Sequence, residues 1–185
     1  MTKSNNTEEI QEEVQNEPKE YPCTDTGHME RFVDQHKGYL RSLGTSKAWL
    51  VWDGTRWKPS DYAEVFKFAL ETVQSIKTEV EQAAGLTDAQ NLQKWSVTSE
   101  SNSKTMAMLD MAAKHPSLVA KASSFDKQRT KLNCLNGIVD LATGQFHQRT
   151  SDDLHTKVIG TILTLKPSAQ TLISSSKKSL AAMVS

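Results

Sequence analysis

Residues 131–149, KLNCLNGIVDLATGQFHQR, hold the densest run of turn chemistry in the chain. Asn136-Gly137 accepts positive φ, so the backbone can reverse between Leu132–Leu135 and Ile138–Leu141. Thr143-Gly144 offers a second reversal before Gln145–His147. Apolar and polar residues alternate on either side of these turns. The pattern predicts a compact β-meander of three short strands, or at the least a hairpin with a bulge. No catalytic signature lies within it.

The rest of the chain supplies helices and a second hairpin. Residues 1–20 carry six glutamates against Lys3 and Lys19 and little to bury. They cannot offset their ordering entropy and are expected to be a disordered acidic lead-in, with the domain beginning near Tyr21. From Thr26, a candidate cap, Met29, Phe32, Val33 and His36 fall on one helical face, and Gly38 ends the helix. Tyr39–Leu43 reads as short and extended. Ala48–Lys58 is a hairpin pattern, with Asp53-Gly54 suited to a two-residue turn and aromatics on both arms. Pro59 is expected to stop its second strand, and Ser60 or Asp61 to cap the next helix.

Tyr62–Ala84 is the strongest helix. Phe66, Ala69, Leu70, Val73, Ile76 and Val80 keep a 3.6-residue period, and Gly85 ends it. Thr87 or Asp88 opens another helix with Leu92 and Trp95 inward. A polar break at Ser99–Ser103 precedes a helix from about Lys104 to Lys114, which would bury Met106, Leu109 and Ala113 before Pro116. Residues 117–130 look irregular or form one weak turn of helix. Residues 162–185 form an atypical basic tail of low sequence variety, expected to be flexible or loosely helical.

At 185 residues, with 22 basic and 22 acidic side chains, the chain suits one domain and has no global field to draw a polyanion. Its longest apolar runs are far too short for a membrane span, and no signal peptide is visible, so a cytoplasmic location is expected. Cys23 and Cys134 then read as free thiols. No CxxC or HxxxH spacing offers a structural zinc site; His36 fits the helix face better than a ligand set. No serine sits in GxSxG, and neither cysteine has an activating neighbour. Asp53 and Asp140 each follow a strand, but the first is explained by its turn and the second can hold a turn amide. No glycine is followed by lysine, which excludes a Walker A loop.

Nucleic acid is the class that survives. Six basic residues from Arg31 to Lys58 are interleaved with Tyr39, Trp49, Trp52 and Trp57, and Lys121, Lys127, Arg129 and Lys131 lead into the meander. Clustered cations bind phosphates and exposed aromatics stack on bases. Composition alone favours the plainer alternative, in which the tryptophans are core and the cations a solvated face.

Taken in order, TDTGHMERFVDQH (24–36), WLVWDGTRW (49–57), LNCLNGIVDLATG (132–144) and DDLHTKV (152–158) resemble a family. It is the poxvirus-type amino-terminal domain that precedes the superfamily-three helicase in phage and plasmid primase-helicases. The likeness runs from about Tyr21 to Thr161. It implies a place in the DNA replication of a mobile element, as a non-catalytic accessory that engages DNA or docks on a helicase. Catalysis in that family lies in the neighbouring primase and ATPase modules, so ATP and magnesium are expected there and no cofactor is expected in this chain. The polar residues matching by position are Asp25, Glu30, Arg31, Asp34, Asn133, Asn136, Asp140 and Lys157. The break in composition near residue 162 reads as a truncation of such a protein.

The expectation is thus an α+β fold, with a mainly helical middle and small antiparallel hairpin and meander elements. Residues 21–161 form the helicase-preceding domain, and it has no catalytic or metal residues of its own. The expected partners are single-stranded or forked DNA and a helicase or other replication protein, with no membrane. The candidate contacts with nucleic acid are Arg31, Arg41, Arg56, Lys58, Lys127, Arg129, Lys131 and Lys157. The contrasting reading is a structural remnant whose cations and tryptophans serve only folding.

Overall fold

The structure, a computed structural model, describes residues 19–44 and 48–164. Most of the acidic lead-in and of the basic tail lies outside them. Among the described residues no helix is long and apolar enough to cross a membrane. The fold is α+β; the described residues form four helices and two small antiparallel sheets, with three of the helices between the sheets in the chain.

Helix α1 (Asp25–His36) opens on Thr24, whose hydroxyl accepts from the Gly27 amide at 3.1 Å, so Thr24 rather than Thr26 is the cap. Thr26 lies inside the first turn because the chain leaves the β region at Thr24, which has φ −136°. Phe32 and Val33 point into the core, as the helical period requires. Gly27 is the point of closest approach to the incoming chain: a Cβ there would stand 2.1 Å from the Pro22 carbonyl oxygen.

Strands β1 (Leu40–Leu43), β2 (Ala48–Trp52) and β3 (Trp57–Ser60) form the first sheet in that order. Trp52 pairs with Trp57, so the reversal spans the four residues 53–56, not the two expected. The Asp53 carboxylate explains the longer loop. Its Oδ1 accepts from the Thr55 amide at 2.8 Å and the Arg56 amide at 2.9 Å, an Asx-type turn that organises the residues beyond it. Pro59 does not stop β3; it pairs with Leu50 inside the strand. It is tolerated because β3 is the last strand in the order, where a missing N–H breaks no ladder on the outer side.

Helix α2 (Tyr62–Gln82) is capped by Asp61, which accepts from the Glu64 amide at 2.8 Å. Val65, Ala69, Thr72, Val73 and Ile76 are its buried residues. Leu70, assigned by period to the core, is exposed. The buried stripe runs through Val65 and Thr72, a small rotation that moves Leu70 to its solvent edge. Helix α3 (Leu86–Ser99) packs beside α2, with Leu92 and Trp95 not fully covered. Helix α4 (Asn102–Ala112) begins two residues earlier than expected, on Ser101. Met108, not Met106, faces inward; Met108 is fully buried and Met106 is exposed.

One face of the first sheet, with Leu40 and Val51, packs on α1, α2 and α4 through Phe32, Val65, Ala69, Met108 and Leu109. The opposite face builds a smaller core of Leu50, Trp57 and Phe125, with Trp52, Ala120 and Leu154 against it. Residues 118–120 extend the sheet beyond β1, since the Ser42 amide donates to the Leu118 carbonyl at 2.8 Å.

The second sheet holds β4 (Lys131–Cys134), β5 (Gly137–Asp140) and β6 (Phe146–His147), the expected meander. Its register is one residue off the expectation. Cys134 pairs with Gly137, so the turn is centred on Leu135-Asn136. Positive φ belongs to Gly137 alone in this turn, at +151°, and a Cβ there would lie 2.4 Å from the Phe146 ring. Asn136 is used differently: its side-chain amide pairs with both backbone groups of Leu163, at 2.9 and 3.0 Å. The second reversal falls at Gly144, with φ +71°, and Asp140 Oδ1 accepts from the Ala142 amide there.

Histidine burial gives the fold a pH dependence. His28 is fully buried, and neither ring nitrogen has a hydrogen-bond partner. Burial, with the Arg31 charge adding to it, lowers its pKa to about 4; Asp25 opposes this and Lys104 adds to it. Burial also lowers His36 and His155. Above the unfolded value near 6.5 the ring is neutral in both states and costs nothing. As pH falls from there towards 4, the unfolded chain takes up the proton first and stability is lost, by about 3 kcal/mol for His28 alone. Denaturant unfolding at pH 7.5 and pH 4.5 is expected to show this loss, and a His28→Leu variant a shallower one.

Candidate nucleic-acid interface

Residues 150–161 carry the chain from the meander back across both sheets. The Trp57 amide donates to the His155 carbonyl at 2.8 Å, and the Trp57 indole Nε1 donates to the Ser151 carbonyl at 2.8 Å. Further on, the Ile159 amide donates to the Asn133 carbonyl at 2.8 Å and the Leu135 amide to the Thr161 carbonyl at 3.0 Å. The segment thus meets β3 on one side and β4 on the other. A capping box starts it, with the Thr150 amide donating to Asp153 Oδ2 at 2.8 Å. Burial pushes the Asp153 carboxyl up, but hydrogen bonds from Thr150 and His147 outweigh this and hold it below the usual range. Leu154 is left-handed, at φ 54°, a conformation that costs a non-glycine residue about 1–2 kcal/mol. Its carbonyl accepts from the Asp126 amide at 3.1 Å, and the Asp126 carboxylate accepts from the Thr156 amide at 2.9 Å.

Asn133 stands at the centre of this junction. It is buried, and its Nδ2 donates to the Thr55 carbonyl at 2.8 Å and the Lys157 carbonyl at 3.0 Å. One side chain therefore ties the 53–56 loop, β4 and the 150–161 segment together. The stretches 49–57, 132–144 and 152–158, far apart in sequence, meet here.

The eight candidate cations divide into two groups. Arg31 is fully buried on α1, where no phosphate can reach it. Its guanidinium donates to Glu79 at 2.9 Å and to the Tyr21 carbonyl at 3.0 Å. Arg41 is largely enclosed; it lies over the Trp57 ring at 4.9 Å and donates to the Leu40 and Lys37 carbonyls. Burial lowers its pKa, and Asp152 at 3.9 Å opposes that. Lys58 on β3 pairs with Glu64 of α2 at 3.1 Å.

The other five lie on or beside the segments that meet at Asn133. Arg56 follows Thr55 in the loop, and Lys157 contributes one of the carbonyls that Asn133 holds. Lys131 lies two residues before Asn133 on β4, on the same face of the strand. Lys127 follows Asp126, which is bonded to Thr156, and Arg129 lies in the turn leading to β4. Lys127, Arg129 and Lys157 are exposed and Lys131 is half-buried; none of the four has an ion pair within 4 Å among the described residues. Arg56 has only a long contact, 3.9 Å, with Asp53.

Sequence reasoning missed Asn133 as the organising residue, and only its match to the family pattern drew notice to it. The tryptophans of the first sheet are mostly core, with Trp57 fully buried and Trp49 and Trp52 half-buried. Cys23 and Cys134 are both free thiols. Among the described residues no group of three or more His, Cys, Asp or Glu is placed to hold a metal. A cavity of about 610 Å³ lies between residues 19–23, the end of α2 and α3, and none of its lining residues belongs to the three stretches that meet at Asn133.

A family model described as D5 N terminal like matches residues 29–173. The chain belongs to this family, the N-terminal domain of primase-helicase proteins. No curated protein matches the chain.

Proposed function

We propose that this chain is a non-catalytic DNA-engaging domain of a phage or plasmid replication primase-helicase, acting in the cytoplasm on single-stranded or forked DNA. The observation that carries the reading is the junction at Asn133. Arg56, Lys127, Arg129, Lys131 and Lys157 lie on or beside the segments it joins, and four of these have no partner within ion-pair distance among the described residues. Solvated cations without partners are free to replace the counterions of a phosphate backbone. Asp126, Asp140, Asp152 and Asp153 lie among them, so the field is moderate and the contact weak on its own. Affinity would then come from tethering to a helicase or primase, where a weak domain gains effective concentration. ATP and magnesium would serve those modules and not this one.

The test is fluorescence anisotropy with a labelled single-stranded oligonucleotide at low salt. Changing Arg56, Lys127, Arg129 and Lys131 together to Ala is expected to weaken binding by about tenfold or more while circular dichroism stays unchanged. Undiminished affinity in that variant would move the site elsewhere. A wild-type chain that binds no DNA at low salt would favour docking on protein alone.

A further inference from the structure

The first sheet presents an aromatic row that no ion pair or packing role accounts for in full. Tyr39 stands in the turn just before β1, where the Trp52 amide donates to its carbonyl at 2.9 Å, and Trp52 pairs with Trp57 across β2 and β3. Residues opposite one another in an antiparallel ladder project to the same face. Along this row burial falls outward. Trp57 is fully buried, Trp52 is half-buried against it at 5.8 Å between ring centroids, and Tyr39 is 56% exposed. Among the described residues no ring or cation stacks on Tyr39.

The cations begin one step away. The Asp53 amide, next to Trp52, donates to the Arg56 carbonyl at 3.1 Å, so two backbone hydrogen bonds lead from Tyr39 to Arg56. An exposed aromatic with cations elsewhere on the same surface suits an unpaired nucleotide, whose base stacks on the ring while the backbone phosphates meet the cations. Bases stacked within a duplex offer no free face to such a ring. We propose that the exposed Tyr39 ring is a stacking platform for an unpaired base, so that the surface prefers single-stranded nucleic acid over duplex. This rests on the phosphate-binding reading of Arg56 and its neighbours, and it adds the base contact.

Tyr39 can be changed without disturbing the fold, because its hydrogen bonds are made by its backbone, to His36 and Trp52. Anisotropy titrations would compare labelled oligo-dT with a duplex of the same length. Tyr39→Ala is expected to weaken binding to the single strand about tenfold and leave the duplex unchanged, while Tyr39→Phe binds like the wild type. Binding of the single strand should also quench tryptophan fluorescence, through Trp52. Equal affinity of Tyr39→Ala and wild type for the single strand would overturn the platform, and so would an equal loss on both nucleic acids. If that result came with a loss of binding in the four-cation variant, the phosphate-binding reading would stand and the platform alone would fall. No binding of either nucleic acid by the wild type would remove both.

Discussion

Trp57→Ala is expected to lower the free energy of unfolding by about 3–5 kcal/mol, the range for truncating a fully buried aromatic. The side chain is central to the smaller core, with Phe125 edge-on at 6.2 Å and Leu50 beside it. It also bonds the 150–161 segment through its indole, and the Arg41 guanidinium rests on its face. Truncation would open a cavity, leave the Ser151 carbonyl without its donor and remove the surface that holds Arg41. Trp57→Phe separates these effects. It keeps most of the packing and loses the indole bond, worth about 1 kcal/mol. Urea titrations of the two variants would show the difference, and a Trp57→Ala protein as stable as wild type would mean that the strand–segment junction is not part of the cooperative core.

Arg31→Ala is the second large effect, expected to cost about 3–5 kcal/mol. The guanidinium has no exposed surface and satisfies Glu79 on α2 and the carbonyls of Tyr21 and Pro22. It thereby ties residues 21 and 22 to α1 and α2. Removal would leave a partly buried carboxylate and two carbonyls without donors. Arg31→Lys is not expected to restore the loss, because one ammonium cannot span the fork of contacts that the planar group makes. Unfolding curves would measure the cost, and faster proteolysis within residues 19–23 would show where the chain is released. Rescue by Lys would mean that charge alone, not the bidentate geometry, matters here.

The contrast between Arg31 and Arg56 explains what was legible in the sequence. Turn and cap chemistry is local, so reversals at Asp53 and Gly144, a helix start at Ser60 or Asp61 and a meander around Gly137 could be read directly, though not their exact lengths or register. A helical period is also local, and α2 was evident at nearly its full length. Whether a given arginine is solvated depends on partners far away. Glu79 lies 48 residues from Arg31, and nothing near either residue announces the pair. Likewise Asn133 looks like any polar residue in a short strand until its partners, 78 and 24 residues away, are in place. The one-residue register error has the same origin. Asn136 was read as a turn residue because Asn-Gly favours turns, but its amide is taken by Leu163, 27 residues on. Pro59 looked like a strand stop because the sequence does not reveal that β3 is an edge.

Among the aromatics of the first sheet, composition could not separate buried from exposed. Trp57 is core, Trp52 is shared and Tyr39 is at the surface. The family pattern led to the right stretches of chain, but it did not distinguish cations that build the domain from those left at its surface.

The central claim is that the cations on or beside the segments joined at Asn133 meet phosphates. The most direct measurement is the salt dependence of affinity for single-stranded DNA in wild type and in the variant lacking Arg56, Lys127, Arg129 and Lys131. Each phosphate neutralised contributes about −0.7 to the slope of log K against log salt for a single strand. The two slopes are predicted to differ by roughly 3, with the variant close to flat. The same slope in both proteins, or a flat dependence in the wild type, would contradict the claim.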